Sequence, residues 1–217
     1  MQSTFGWVDF LEEDKHKMHE LIKALSEQDT RDELGIGSIR DAFANLFFPG
    51  TSTIQTRVKY MLFIPWIYQS IEEEKVSSVM VTTRSRELEN TLIEALLNSD
   101  DTDGVIGKEA RNKLIRTPAD IYWAGLRNWG IFKYHSSRAD YHNNLDNYYR
   151  LVDKQLLDDD HNPVQGMVYN WDPGVPASPG EFPAKAHFAL SFNEAAYLND
   201  KIKTNCSGAL LSRLIDP

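Results

Sequence analysis

The sequence predicts a mainly α-helical chain: a multi-helix globular domain with a candidate winged-helix-like helix-turn-helix unit and a Pro-rich extended connector. Three observations carry this. Apolar residues recur at spacings of three and four through most of residues 1–157. Hydroxyl, acidic and proline start signals stand where those stripes begin. Five of the nine prolines (Pro163, Pro173, Pro176, Pro179 and Pro183) gather between 158 and 186 with Gly166, Gly174 and Gly180, a composition that interrupts helix.

In chain order, Asp9 opens a first helix. Glu12 and Glu13 suit the positive end of its dipole, and Leu11, Met18, Leu21, Ile22 and Leu25 fall on one face. Ser38 caps a second helix carrying Ile39, Ala42, Phe43, Leu46 and Phe47, which Pro49-Gly50 stops. Thr51, Ser52 and Thr53 offer fresh caps for a long helix from about Ile54 to Glu74. Pro65 lies inside it, and Glu72, Glu73, Glu74 and Lys75 form its solvated end. A helix from Thr83 or Ser85 to Asn98 buries Leu88, Leu92, Ile93 and Leu96. After a polar loop at 100–107, a short helix is expected from Lys108 to Arg116.

Thr117-Pro118 restarts the helix with Asp120 completing a capping box, and Tyr122, Trp123 and Trp129 make it aromatic. Ser136-Ser137 opens a helix to about Leu157. Tyr169, Trp171 and Phe182 should pack the connector onto the body. Ser191 and Glu194 cap a helix to about Lys203, and a short one follows from Ala209 to Ile215. The domain reading is a helical body at 1–157, with its helix-turn-helix candidate at about 85–134, a connector at 158–186 and a C-terminal helical segment at 187–217.

Composition narrows the class of protein. Over 217 residues, 41% hydrophobic and 25% charged content allows a real core. A formal net charge of -9 argues against coating nucleic acid through bulk electrostatics, though a local basic patch is compatible with it. The lone Cys206 rules out an internal disulfide and points to a reducing compartment. No basic and apolar leader precedes Asp9. The apolar run from Tyr60 to Tyr68 is far short of the roughly 20 residues a membrane span needs. The expected address is the cytoplasm, with no membrane partner.

Familiar chemistry is missing from the pattern. His16 and His19 share a helical face but lack two further ligands, and Asp158-Asp159-Asp160 lacks the alternation of a calcium loop. No Walker loop, Gly-x-Gly-x-x-Gly or Gly-x-Ser-x-Gly occurs. The expectation is no catalytic residue, no metal and no cofactor.

Two segments stand above this background. In 31–60, the hydroxyls Thr51 and Ser52 at an expected helix start, with Gln55, Arg57 and Lys59 following and Arg31 and Arg40 nearby, suit a phosphate or carboxylate. In 108–133, Lys108, Arg111, Lys113, Arg116, Arg127 and Lys133 form the most basic stretch of an acidic chain. Its two helices and the following Gly130-Ile131-Phe132-Lys133 can be read as a helix-turn-helix with the start of a wing, contacting DNA.

Residues 6–10 (GWVDF), 29–44 (DTRDELGIGSIRDAFA), 48–57 (FPGTSTIQTR) and 121–126 (IYWAGL) resemble an uncharacterised bacterial family of unknown function. The resemblance implies members longer than this chain, lying near helicase and nuclease-like genes in phage-defence neighbourhoods. The functional expectation is therefore a non-enzymatic binding component of an anti-phage defence or DNA-processing system, contacting DNA or a helicase or nuclease partner. The alternatives are an enzyme acting on a phosphate-bearing substrate at 49–59, or a protein scaffold using the connector's aromatics as exposed anchors.

Overall fold

The computed structural model describes residues 36–110, 114–153 and 169–215. Seven helices lie among them: α1 (Ile36–Phe47), α2 (Tyr60–Glu73), α3 (Val81–Leu97), α4 (Pro118–Asn128), α5 (Arg138–Asp153), α6 (Phe192–Asn205) and α7 (Leu210–Leu214). The described residues contain no strand, and the chain is mainly α-helical as expected. The expected helix from Asp9, with His16 and His19, and the continuation of α5 to Leu157 lie outside the described residues. The chain divides into two compact units, Met1–Ala44 and Asn45–Pro217. No residue of α1, which runs across that division, is buried. It begins at Ile36, so Ser38 lies inside the helix and not at its cap.

Within Asn45–Pro217 the core is built around α2. Nine consecutive residues, Tyr60–Tyr68, and then Ile71 are buried, the pattern of a helix covered on all sides. It packs against α3 and α4. The expected start at Ile54 is corrected: residues 51–59 form turns and coil, and the helix opens at Tyr60. Long-range partners explain this. The Tyr122 hydroxyl accepts from the backbone amides of Thr56 (2.8 Å) and Arg57 (3.0 Å) and donates to the Arg57 carbonyl, and the Gln55 side-chain amide donates to the carbonyls of Gly50 and Ile121. Threonine-rich sequence has little helix propensity to set against these bonds.

Two glycines allow that segment to reach α4. Gly50 has φ +79°, and a Cβ built there would stand 2.9 Å from Cα of Gly125. A Cβ on Gly125 would stand 2.5 Å from the Gly50 carbonyl oxygen and 2.4 Å from Cε of Met61. Trp129 Nε1 donates to the Pro49 carbonyl beside them.

The helix-turn-helix expectation meets a different geometry. Lys108–Ala110 form a turn and Leu114–Arg116 are irregular, so the described residues between 108 and 116 contain no helix; Arg111–Lys113 lie outside the described residues. The start of the wing is corrected. Phe132 forms an antiparallel bridge with Trp171, in which Lys133 N donates to the Asn170 carbonyl and Asp172 N to that of Ile131, both at 2.8 Å. Ile131 and Phe132 are buried, together with Tyr122, Trp123 and Trp129.

That bridge docks the connector. Trp171 is buried and stacks on Tyr68 (centroids 5.6 Å, 20° between planes), and Phe182 stacks on Phe63 (5.7 Å, 17°). Of the three connector aromatics expected to pack, only Tyr169 is exposed. Of the three anchors the scaffold alternative would expose, Trp171 is buried, Phe182 half-buried and Tyr169 exposed.

A polar junction ties four helices together. The Tyr68 hydroxyl and His142 Nε2 are 2.9 Å apart, and His142 Nδ1 lies 3.0 Å from the Thr82 hydroxyl. Glu89 of α3 is buried and accepts from the Ala119 amide at the start of α4 (2.8 Å), while its second oxygen is buried without a partner among the described residues. Arg138 of α5 pairs with Asp120 at 2.7 Å.

Candidate ligand cleft

One helical register brings the candidate site together. Glu72 follows Tyr68 by one turn, so it lies on the same face of α2 as the core tyrosine and not on a solvated tail. The expectation of a solvated Glu72 is corrected: the residue is half-buried, and its Oε1 accepts from the hydroxyl of Tyr141 (2.6 Å), the side-chain amide of Asn170 (2.9 Å) and the indole N–H of Trp171 (3.1 Å). Tyr148, seven residues further along α5, lines the same cleft as this carboxylate. Burial raises the Glu72 carboxyl above its ordinary range, and the bonds from Tyr141, Asn170 and Trp171 oppose that rise. Tyr148 answers in kind: burial, then the nearby Glu72 charge, pushes its hydroxyl up to about 12.

Glu72 opens into a cleft of about 600 Å³ between the end of α2, the outer half of α5 and residues 169–178. That volume is in the range of small-ligand sites. Tyr148, Tyr149 and Tyr169 give it aromatic walls. Tyr148 and Tyr149 stand 5.8 Å apart, and the Tyr149 hydroxyl donates to the Ile71 carbonyl (3.4 Å). At the mouth, Lys75 Nζ donates to both oxygens of Asp153 (2.6 and 2.9 Å). Among the described residues the charged lining is Glu72, Glu73 and Asp153 against Lys75, a negative set when Glu72 is ionised. A carboxylate among π faces attracts a cation. Among the described residues, no three His, Cys, Asp or Glu side chains gather in a way that could hold a metal ion.

A family model matches residues 2–216, nearly the whole chain. The chain belongs to DUF6361, a family of unknown function. Neither a curated protein nor a solved structure matches it.

In this DUF6361 chain Thr51, Ser52, Gln55, Arg57 and Lys59, singled out for anion binding, lie in turns and coil ahead of α2 and not on an open helix start. Thr51 donates to the Phe48 carbonyl (2.9 Å), and the carbonyl of exposed Ser52 accepts from the Gln55 amide. Arg57 donates to Asp101 and to the Asp103 carbonyl, both at 3.0 Å, and lies over the Phe188 ring. Lys59 is buried and donates to Glu194 (2.6 Å) and to the Ala189 carbonyl (2.8 Å). Arg40 pairs with its neighbour Asp41, and Arg31 lies outside the described residues.

The basic stretch is mixed. Lys108, Arg116 and Lys133 are exposed; Arg127 is half-buried and donates to the His135 carbonyl; Arg111 and Lys113 lie outside the described residues. Sequence reasoning missed the cleft because the run of three glutamates reads as surface. The signals that mark it are the one-turn spacing from Tyr68 to Glu72 and the pair Tyr148-Tyr149 on a helix.

Proposed function

We propose that this chain is a non-catalytic binding module whose cleft takes a lysine or arginine side chain of a partner protein. The observation that carries the reading is Glu72: a half-buried carboxylate, held by three neutral donors, facing a negative, tyrosine-walled cleft. Neutral donors orient the carboxylate without cancelling its charge, leaving the charge to the ligand. The proposal extends to its setting: the cytoplasm of a bacterium, in an anti-phage defence or DNA-processing system whose helicase or nuclease chain would supply the basic side chain.

The test is calorimetric titration with heptapeptides that differ only in a central lysine, arginine, serine or glutamate. The cationic peptides should bind, the serine and glutamate peptides should not, and Glu72→Gln should weaken binding at least tenfold while circular dichroism stays unchanged. Equal binding of all four peptides, or indifference to Glu72→Gln, would overturn the proposal.

A second reading keeps DNA as the ligand of the basic stretch. It is favoured by the exposure of Lys108, Arg116 and Lys133, in contrast to Arg57 and Lys59, which carboxylates already engage.

A further inference from the structure

The cleft has a neighbour. A second cavity, of about 310 Å³, shares Tyr148 and Asn170 with it. Its lining is of another kind: Phe132, Tyr134, Leu145 and Leu151 present carbon, and Asp140 brings its one charge. That charge is engaged, because the Asp140 carboxylate accepts from the amide and hydroxyl of Ser137. Tyr141 also lines this second cavity while donating to Glu72. Tyr141 and Asn170 thus hold the Glu72 carboxylate and also line the apolar cavity, beside Tyr148.

We infer that the ligand is bipartite: one peptide places a cationic side chain against Glu72 and an apolar side chain, of leucine size, in the second cavity. This rests on the cation-binding reading of the cleft. Tyr148 and Asn170 line both cavities, so the two lie side by side and a single ligand is asked to bridge their common wall. In an extended peptide, side chains two residues apart point to the same face, about 7 Å from one another, which suits adjacent cavities with a common wall. Leu151 and Tyr134, about half exposed, would lose contact with water when the second cavity fills. The filled cavity also covers Tyr141, which holds Glu72, so cation and apolar group strengthen one another's binding.

The experiment compares two heptapeptides, one centred on Lys-Ser-Leu and one on Lys-Ser-Ser, titrated into the wild-type chain and into Leu151→Arg, Tyr134→Ala and Glu72→Gln. The expected result is at least tenfold tighter binding of the leucine peptide to wild type. Leu151→Arg should erase that gain and leave the serine peptide's affinity unchanged; Tyr134→Ala should reduce the gain, providing a second variant if the first misfolds. Equal affinities of the two peptides, both weakened by Glu72→Gln, would overturn the bipartite ligand and leave the cation site standing. Failure of both peptides to bind wild type would overturn both readings.

Discussion

Gly125 shows how a single residue can be chosen against its own local preference. In a helix interior, alanine is favoured over glycine by about 1 kcal/mol, yet at Gly125 a Cβ would collide with the Gly50 carbonyl oxygen and with Met61. The backbone contact cannot yield as a side chain can. Gly125→Ala should therefore destabilise the fold by about 1–3 kcal/mol in urea titration, the usual cost of overpacking. Gly208→Ala, with nothing within 4 Å, should change stability little.

Two buried groups of the polar junction set opposing pH dependences. Burial raises Glu89 from 4.5 to about 7, against the Ala119 amide and the Arg138 charge. Burial, followed by the Arg138 charge, lowers His142 from 6.5 to about 4. Each shift corresponds to about 3 kcal/mol. A carboxyl raised on folding contributes stability that is full below 4.5 and lost as pH rises through 7. A histidine lowered on folding contributes stability that is full above 6.5 and lost as pH falls through 4. Across 4.5–6.5 the two slopes cancel in the wild type. Glu89→Gln removes one of them, so its stability relative to wild type should climb by about 3 kcal/mol between pH 4.5 and 8. A relative stability independent of pH in that range would refute the assignment.

At the scale of elements, a buried ion pair links the start of α2 to the start of α6. Glu194 closes the α6 capping box, accepting from the Ser191 amide at 2.7 Å while its own amide donates to the Ser191 hydroxyl. The same carboxylate takes the buried ammonium of Lys59. Burial pushes the Glu194 carboxyl up, but the bonds from Lys59 and Ser191 outweigh it and hold it below its ordinary range. Lys59→Met strands that carboxylate, and breaking a buried pair from one side costs about 3–5 kcal/mol. Thermal unfolding should show a loss of that size, partly recovered in the Lys59→Met, Glu194→Gln double variant. A cost below 1 kcal/mol would mean that Lys59 is freer than its burial indicates. The cap itself was legible from Ser191 and Glu194 alone; its cation, 135 positions away, was not.

At the scale of the molecule, charge decides between the ligand classes. An acidic chain with a formal charge of -9 repels a polyanion unless its basic residues share a face. If Lys108, Arg116 and Lys133 form such a face, duplex DNA followed by fluorescence anisotropy should bind with a steep loss between low and physiological salt. The Lys108→Ala, Arg116→Ala, Lys133→Ala triple variant should then reduce both the affinity and the salt slope. Undiminished DNA binding by the triple variant, or no binding at low salt, would remove the second reading.

Local chemistry made the helices legible. Hydroxyl, acid and proline signals marked the starts of α4, α5 and α6 because caps satisfy amides within one turn of chain, and the apolar run from Tyr60 to Tyr68 announced the central helix. Where α2 begins was settled by distant partners: Tyr122 claims the amide of Arg57, which a helix from Ile54 would have used, together with that of Thr56. The pairing of Phe132 with Trp171, which replaced an expected wing, likewise depends on contact between remote parts of the chain. So does the role of Glu72. A glutamate in an acidic run looks the same in the sequence whether water or three buried donors surround it, and only the packing of Tyr141, Asn170 and Trp171 makes it a candidate site.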